Sequence, residues 1–448
     1  MHASIVIPVW NGSTVIKDCL EAVYRDSSED LLEVICVDNA SRDDSAGLIA
    51  EAFPQVRVLK QPVNLGFAGG INAGVQAAQG DVFILLNQDC IPQPGWLPAL
   101  AQALDSCPQY GIFGSTIYNP DDTLNHTGAA IRHPDATGIH LTDWGDGQIK
   151  KVEFVTGAAT AIRRETWEIV GQFDEGYYPA YYEDGDYCYR ARSRGIETAW
   201  VPQARVRHLF SSQEWQVDPI KHTTNGFVSR YRFVSKHFDE KQIVHFFEAE
   251  EAGLKNVRYL DQVIGRSIAA RQTLRNLAEI LTRRQLELDA GPSISRTRQL
   301  QAGFTHILQE SYQSARELTL SAISGDSPEN GIEGELPGSE SLAGSWRGLS
   351  KQFQDLQQRE QELLYRIYFR SPNDPIPEPF LNRISRLVFK RLPNLVTGRE
   401  HLLLAELNAL HVARMEQIEG TLIKMDQFDS QIQERLKLLE ILMEYDYR

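Results

Sequence analysis

The chain has 448 residues, 42% apolar and 23% charged, a balance that excludes disordered and fibrous classes and leaves a soluble globular protein of two or three domains. Its net charge is −15, and residues 1–240 account for −12 of it, so the first half is a poor partner for nucleic acid phosphates. No apolar stretch approaches the roughly 20 residues needed to cross a bilayer.

The N-terminus "MHASIVIPVW" lacks the charged-then-apolar layout of a signal peptide, so the protein is expected in the cytoplasm. The cysteines, Cys19, Cys36, Cys90, Cys107 and Cys188, are odd in number and show no C-x-x-C spacing. That pattern predicts reduced, mostly buried thiols.

In chain order, four short runs read as strands: "SIVIPV", "LEVICVD", "VRVLK" and "DVFILLN". They are apolar throughout rather than alternating, as strands buried on both faces of a sheet must be. Helix-like spacing at residues 15–24 and 46–53 lies between them, which predicts a doubly wound α/β domain. Ligands of such sheets sit beyond the carboxyl ends of the strands. The residues at those exits are polar: Pro8, Trp10 and Asn11, then Asp38, Asn39 and Ser41, then Asn87, Gln88 and Asp89.

Residues 110–150 read as strands and loops over the site, with His126, His133 and His140 as readily surface groups as functional ones. A strand, a bend at Gly157, a helix from Arg164 and a turn at Gly171 follow. Next comes "YYEDGDYCYRAR", in which Asp184, Tyr187, Cys188 and Ala191 share a helical face. So many carboxylates in so short a span must be solvated, paired with arginine, or used to bind a metal or move a proton. The segment 197–210 returns as a strand ending at His208.

Asp89 on position alone is equally a helix cap, and a lone histidine after a strand is more often a structural hydrogen-bonder. Together with the downstream carboxylates the two suit Mn²⁺ or Mg²⁺ holding a diphosphate.

The segments "SIVIPVWNG", "VDNASRDDS", "NLGFAGGINAG", "LLNQDCIPQPGWL", "TGAATAIRRETWEIVGQFDE" and "YYEDGDYCYRARSRG" resemble, in order and spacing, the inverting family two glycosyltransferases with the GT-A fold, in their rhamnosyltransferase-like branch. The resemblance covers residues 1–240 and implies a mixed doubly wound sheet followed by a mostly helical region. It implies further that Asp38 takes a hydrogen bond from the donor base, with Pro8, Trp10 and Asn11 lining the base and ribose pocket. Asn64, Gly66, Gly69 and Asn72 would shape the loop beside the nucleotide and sugar, and Asn87 and Gln88 would flank Asp89. Asp89 matches the last position of the family's D-x-D motif; Asn87 stands at its first, which removes one charge. Asp89 and His208 would hold Mn²⁺ or Mg²⁺, and Asp184, with Glu183 beside it, would be the catalytic base. For Asp186 the favoured reading is a surface ion pair with arginine.

The implied donor is a dTDP-, UDP- or GDP-linked sugar, and the implied acceptor a hydroxyl of a glycan or lipid-linked molecule. A non-catalytic scaffold that binds nucleotide sugar or glycan is the competing class, kept open by Asn87. "NLGFAGGINAG" does not fit the dinucleotide pattern G-x-G-x-x-G. The Arg- and Lys-bearing glycine loop of a pyrophosphorylase is missing, and metal phosphohydrolases need more histidines than are visible.

Beyond residue 240 the composition turns to Leu, Gln, Glu and Arg, which predicts helices over 241–323, a flexible linker over 324–345, and a second helical region over 346–448. Residues 379–399 form a basic amphipathic stretch, suited either to an anionic membrane surface or to packing with a solvated basic face. Apolar heptad positions from Met415 to Met443 favour self-association through a coiled coil.

Overall fold

The computed structural model describes residues 2–25, 29–209, 219–257 and 260–324. The linker, the basic amphipathic stretch and the terminal heptads lie outside the described residues.

The chain begins with β1 (Ala3–Val9), α1 (Ile16–Arg25), β2 (Leu31–Asp38), α2 (Ser45–Ala52), β3 (Arg57–Lys60), α3 (Gly66–Ala77) and β4 (Val82–Leu86). It continues through β5 (Cys90–Pro92), α4 (Trp96–Ser106), β6 (Tyr110–Tyr118), β7 (Leu124–His126), β8 (Ala129–Arg132), β9 (Thr137–His140) and β10 (Lys150–Val152). Then follow β11 (Ala159–Arg163), α5 (Arg164–Val170), α6 (Glu183–Ser193) and β12 (Glu197–His208). Among the described residues four helices follow: α7 (Pro219–His237), α8 (Glu240–Lys255), α9 (Leu260–Leu288) and α10 (Ile294–Ser324).

One sheet runs in the order β10-β12-β6-β11-β4-β1-β2-β3, with β5 on β12 and β7 on β6. The strands from β4 to β3 are mutually parallel, while β11 runs antiparallel between β4 and β6. This is the mixed α/β sheet with a helical continuation that the resemblance implies. All five residues of β4 are buried, which explains its unbroken apolar run. On α1, Ile16, Cys19, Leu20 and Val23 are buried at spacings of three and four, the stripe that seats a helix on a sheet. The five cysteines are free thiols, four of them buried.

Two features of this topology position the site. Helix α3 sits close on the sheet because Gly74 has no side chain: a Cβ there would stand 2.2 Å from Val6 Cγ1 and 3.0 Å from Val37 Cγ2. Strand β5 folds back after Asp89 and pairs with the end of β12, so that Cys90 lies opposite His208. A hundred residues of intervening chain are thereby closed onto one edge.

The helical part is under way by Pro219, well before the change in composition near residue 240, which falls between α7 and α8. Helix α7 carries Thr223, Thr224 and Gly226, all weak helix formers, so its sequence does not announce a helix. Packing compensates: Tyr231, Phe233 and Val234 of α7 and Phe238 just after it are buried, with Phe246 of α8 and Phe304 of α10. Helix α8 opens with a capping box in which Asp239 and Gln242 satisfy each other's backbone N–H groups. The compact unit runs from Met1 to Leu318.

Candidate active site

At the exits of β1 and β2, Asp38 is 6% exposed and its Oδ1 accepts from the backbone N–H of Ser41 at 3.0 Å. Asn11, in the left-handed region at φ 50°, donates its N–H to Ser41 Oγ, and its Oδ1 accepts from Arg42 N–H at 2.8 Å. Trp10 is exposed and Pro8 half-buried at this edge. The Gln88 amide is spent on the Trp10 backbone, accepting from its N–H at 3.0 Å and donating to its carbonyl at 3.1 Å. Gln88 is therefore a brace between the β1 and β4 exits.

The start of α3 faces the same edge. Asn64 Oδ1 accepts from Gly66 N–H at 2.8 Å, and the Gly66 carbonyl accepts from Asn39 Nδ2 at 3.0 Å. Gly66 has φ +71°, and a Cβ there would meet the Pro179 carbonyl at 2.7 Å. Gly69 leaves room for Leu65 and Glu175. Asn72 is turned inward: its amide bonds the N–H and carbonyl of Phe173 and the Glu175 carboxylate, so it ties α3 to the chain after α5.

Beyond β4, His208 Nε2 lies 3.1 Å from Asp89 Oδ1 and 3.5 Å from Asn87 Nδ2. Asp89, Cys90 and His208 offer ligand atoms within 4.8 Å of one another. The Cys90 thiol belongs to the apolar core, and burial, with Asp89 adding to it, pushes its pKa well up. A carboxylate and an imidazole are thus the donors on offer, which fits a Mg²⁺ or Mn²⁺ completed by phosphate oxygens and water.

Asp184 reaches this edge from α6. Tyr181 (φ 82°) and Tyr182 (φ 69°) both enter the left-handed region just before it, a turn that is costly for residues other than glycine. The Tyr182 hydroxyl holds the turn, donating to the Ala136 carbonyl at 2.8 Å and accepting from Gly138 N–H at 3.2 Å, both in the β8–β9 hairpin. Asp184 Oδ2 accepts from Gly157 N–H at 3.1 Å and its Oδ1 from Gly185 N–H at 2.7 Å. Burial raises its pKa above the ordinary aspartate value, against the pull of those two N–H groups. Glu183 is 5% exposed, and its Oε2 has no hydrogen-bond partner. Burial first, and then the charge of Asp184, hold the Glu183 carboxyl well above the usual range. Both neighbouring carboxyls thus stand above their ordinary values, and their titration belongs to the pair.

The structure brings the base candidate and the metal candidates to one edge. Gly157, which bonds Asp184, precedes Ala158, whose carbonyl accepts from Asn87 N–H at 2.9 Å. His140 feels both sites: burial lowers its pKa, Asp184 raises it and His208 lowers it.

Two readings are corrected. Asp186 is no surface pair; it is fully buried with Arg190 and with residues of α7. His126 is fully buried, accepts from Thr156 N–H at 3.3 Å and packs edge-on against His140 at 4.9 Å. Sequence reasoning missed that this pair lies under the Gly157 bend, because β7, β8 and β9 are too short for alternation to reveal which face is buried.

Residues 4–170 match the family described as Glycosyl transferase family 2. The chain is 28% identical over 229 residues to the protein y4gI of Sinorhizobium fredii, covering 48% of this chain and 25% of that one. It is 26% identical over 236 residues to the N-acetylglucosaminyl-diphospho-decaprenol L-rhamnosyltransferase of Mycobacterium tuberculosis, covering 47% of this chain and 76% of the relative. Among solved structures, GalNAc-T7 with UDP, GalNAc and Mn²⁺ aligns with a TM-score of 0.47 at 18% identity, covering 56% of this chain and 51% of that one.

Proposed function

We propose that the chain is a metal-dependent, inverting glycosyltransferase of the GT-A type that moves a hexose from a nucleotide diphosphate to a hydroxyl of a glycan or lipid-linked acceptor in surface polysaccharide synthesis. The observation that carries this reading is the placing of Asp184, braced by Gly157, beside the edge that carries Asn87, Asp89 and His208.

In this reading Asp38 takes the N3 proton of a uracil or thymine ring, and Trp10 and Pro8 line the base and ribose. Gly66 lets the backbone approach the ligand closely. Asp89 and His208 hold Mn²⁺ or Mg²⁺, which when bound neutralises charge developing on the leaving diphosphate. Asp184 removes the acceptor proton as its oxygen attacks the anomeric carbon from the face opposite the nucleotide, so one displacement inverts that carbon. Its raised pKa makes it a stronger base than an exposed aspartate. The raised pKa of Glu183 favours its neutral form, which adds no second charge beside the acceptor oxygen.

The L-rhamnosyl transfer onto a polyprenyl diphosphate glycan named for the mycobacterial relative supports deoxythymidine-linked rhamnose as the first donor to test. Nucleotide release is measured across dTDP-, UDP- and GDP-linked sugars, with and without Mn²⁺, in wild type and Asp184→Asn. Release dependent on Mn²⁺ and lost in Asp184→Asn, with donor binding retained, is the expected result. Turnover retained in Asp184→Asn excludes it as the base, and donor binding without turnover in wild type leaves a non-catalytic module.

A further inference from the structure

Behind the proposed base lies a second acidic cluster, with no part in the mechanism above. Asp174, Asp186 and Glu287 place carboxylate oxygens within 4.8 Å of one another, and the first two are fully buried. By donor type alone this trio rivals a metal site, but a cation already sits among them. Lys236 of α7, itself 0% exposed, puts Nζ 3.0 Å from Asp174 Oδ2 and 2.8 Å from Asp186 Oδ1, and contacts Glu287 Oε2 of α9.

The surrounding groups complete the balance. Asp186 also meets Arg190 Nε at 2.8 Å, His237 Nε2 at 2.6 Å and the Tyr177 hydroxyl at 3.3 Å. Asp174 is held by Arg232 at 2.9 Å and Arg283 at 3.3 Å. Burial alone would push Asp186 up, yet Lys236, Arg190 and His237 outweigh it and hold the carboxyl well below its usual range. Burial drives His237 down to about 4 against the pull of Asp186, so it is a neutral hydrogen-bonding partner at neutral pH.

Asp184 and Asp186 lie two residues apart on α6, a spacing that points side chains to nearly opposite sides of a helix. One faces Gly157, the other α7. Arg190 pairs with Asp186 from within α6 and also donates to the Val170 and Gln172 carbonyls at the end of α5, His237 reaches Asp186 from α7, and Lys236 alone among these meets Asp174, Asp186 and Glu287 together, joining α6 to α7 and α9. The strained entry at Tyr181 and Tyr182 needs its helix fixed from behind.

We propose that Lys236 is a positioning residue: its buried ammonium clamps α6 so that Asp184 meets the acceptor hydroxyl. This rests on the reading of Asp184 as the base. Steady-state transfer is measured in wild type, Asp184→Asn, Lys236→Met and Lys236→Arg, alongside calorimetric binding of UDP, dTDP and GDP with Mn²⁺. In Lys236→Met, kcat is expected to fall about 100-fold per folded molecule, as a displacement of about 1 Å at a reacting group can cost, while nucleotide affinity and donor KM stay within about threefold. Lys236→Arg restores most of kcat. Wild-type kcat in Lys236→Met, or a loss of nucleotide affinity matching the loss of kcat, overturns the proposal. Should Lys236→Met not fold, Glu287→Gln, altered at the cluster's outer rim, is expected to lower kcat about tenfold at constant donor KM, and an unchanged kcat there overturns it equally. Full transfer by Asp184→Asn instead brings down the assignment of the base, whatever the lysine variants do.

Discussion

Among the described residues two groups of potential ligand side chains gather, Asp89, Cys90 and His208 at the sheet edge and Asp174, Asp186 and Glu287 behind α6, and they have different fates. At the sheet edge, Asp89 and His208 are gathered by a strand that folds back, with Asn87 opposite them. Behind the helix, Asp174, Asp186 and Glu287 are gathered just as tightly, but lysine and arginine side chains fill the space between them. Proximity is alike; residue type differs, one carboxylate with an imidazole and a thiol in the first against three carboxylates around a lysine in the second. A cluster filled by buried lysine and arginine is structural, whereas a carboxylate beside an imidazole is a donor set suited to a divalent cation.

Substitutions on the two sides should part company accordingly. The largest effect is expected from Asp184→Asn: loss of a general base lowers kcat by about 10²- to 10⁴-fold with little change in melting temperature, read by nucleotide release and calorimetry. Lys236→Met should cost about 3–5 kcal/mol in denaturant unfolding, because it strips a partner from buried carboxylates. His208→Ala should leave stability within about 1 kcal/mol yet lower transfer about 100-fold and weaken the response to added Mn²⁺. An unaltered Mn²⁺ titration in that variant would erase the contrast between the clusters. Tyr182→Phe removes one hydroxyl from the hairpin and should cost about 1 kcal/mol.

The smallest effect is expected at Glu183. Its raised pKa means that its stabilising, protonated form is fully present below the unfolded value and is lost as pH rises through the folded value. Glu183→Gln should therefore keep kcat within about threefold and flatten the fall in melting temperature toward high pH. The same sign governs Asp184: activity should fade as pH drops through a value above the ordinary aspartate range of about 3.9. For Asp186 the sign reverses, and its contribution is lost only as pH falls through its depressed value.

The parts of this arrangement that were legible in the sequence are those written in local pattern. β1, β2 and β4 are continuous apolar runs, and their polar exits pointed to the edge where Asp38, Asn87 and Asp89 stand. Asp89 and His208 were both marked by position, and they stand 3.1 Å apart, Asp89 in the turn before β5 and His208 at the end of β12. Asp186 was misread because its decisive partners, Lys236 and His237, lie about fifty residues further along, in a helix that propensity does not reveal. Gln88 and Asn72 look like ligand-lining amides by position, but whether an amide faces a ligand or a backbone depends on neighbours such as Trp10 and Phe173. His126 and His140 were hidden because they end strands of only three and four residues, β7 and β9.

The double left-handed bend at Tyr181 and Tyr182 works as a loaded spring. Each of its two residues stores about 1–3 kcal/mol of backbone strain, retained because the hairpin grips the second phenol. Relaxing the spring would let the carboxylate that follows swing by a helical turn's fraction while every strand stayed in place, so wear at this hinge would be felt in turnover before it could be seen in the fold.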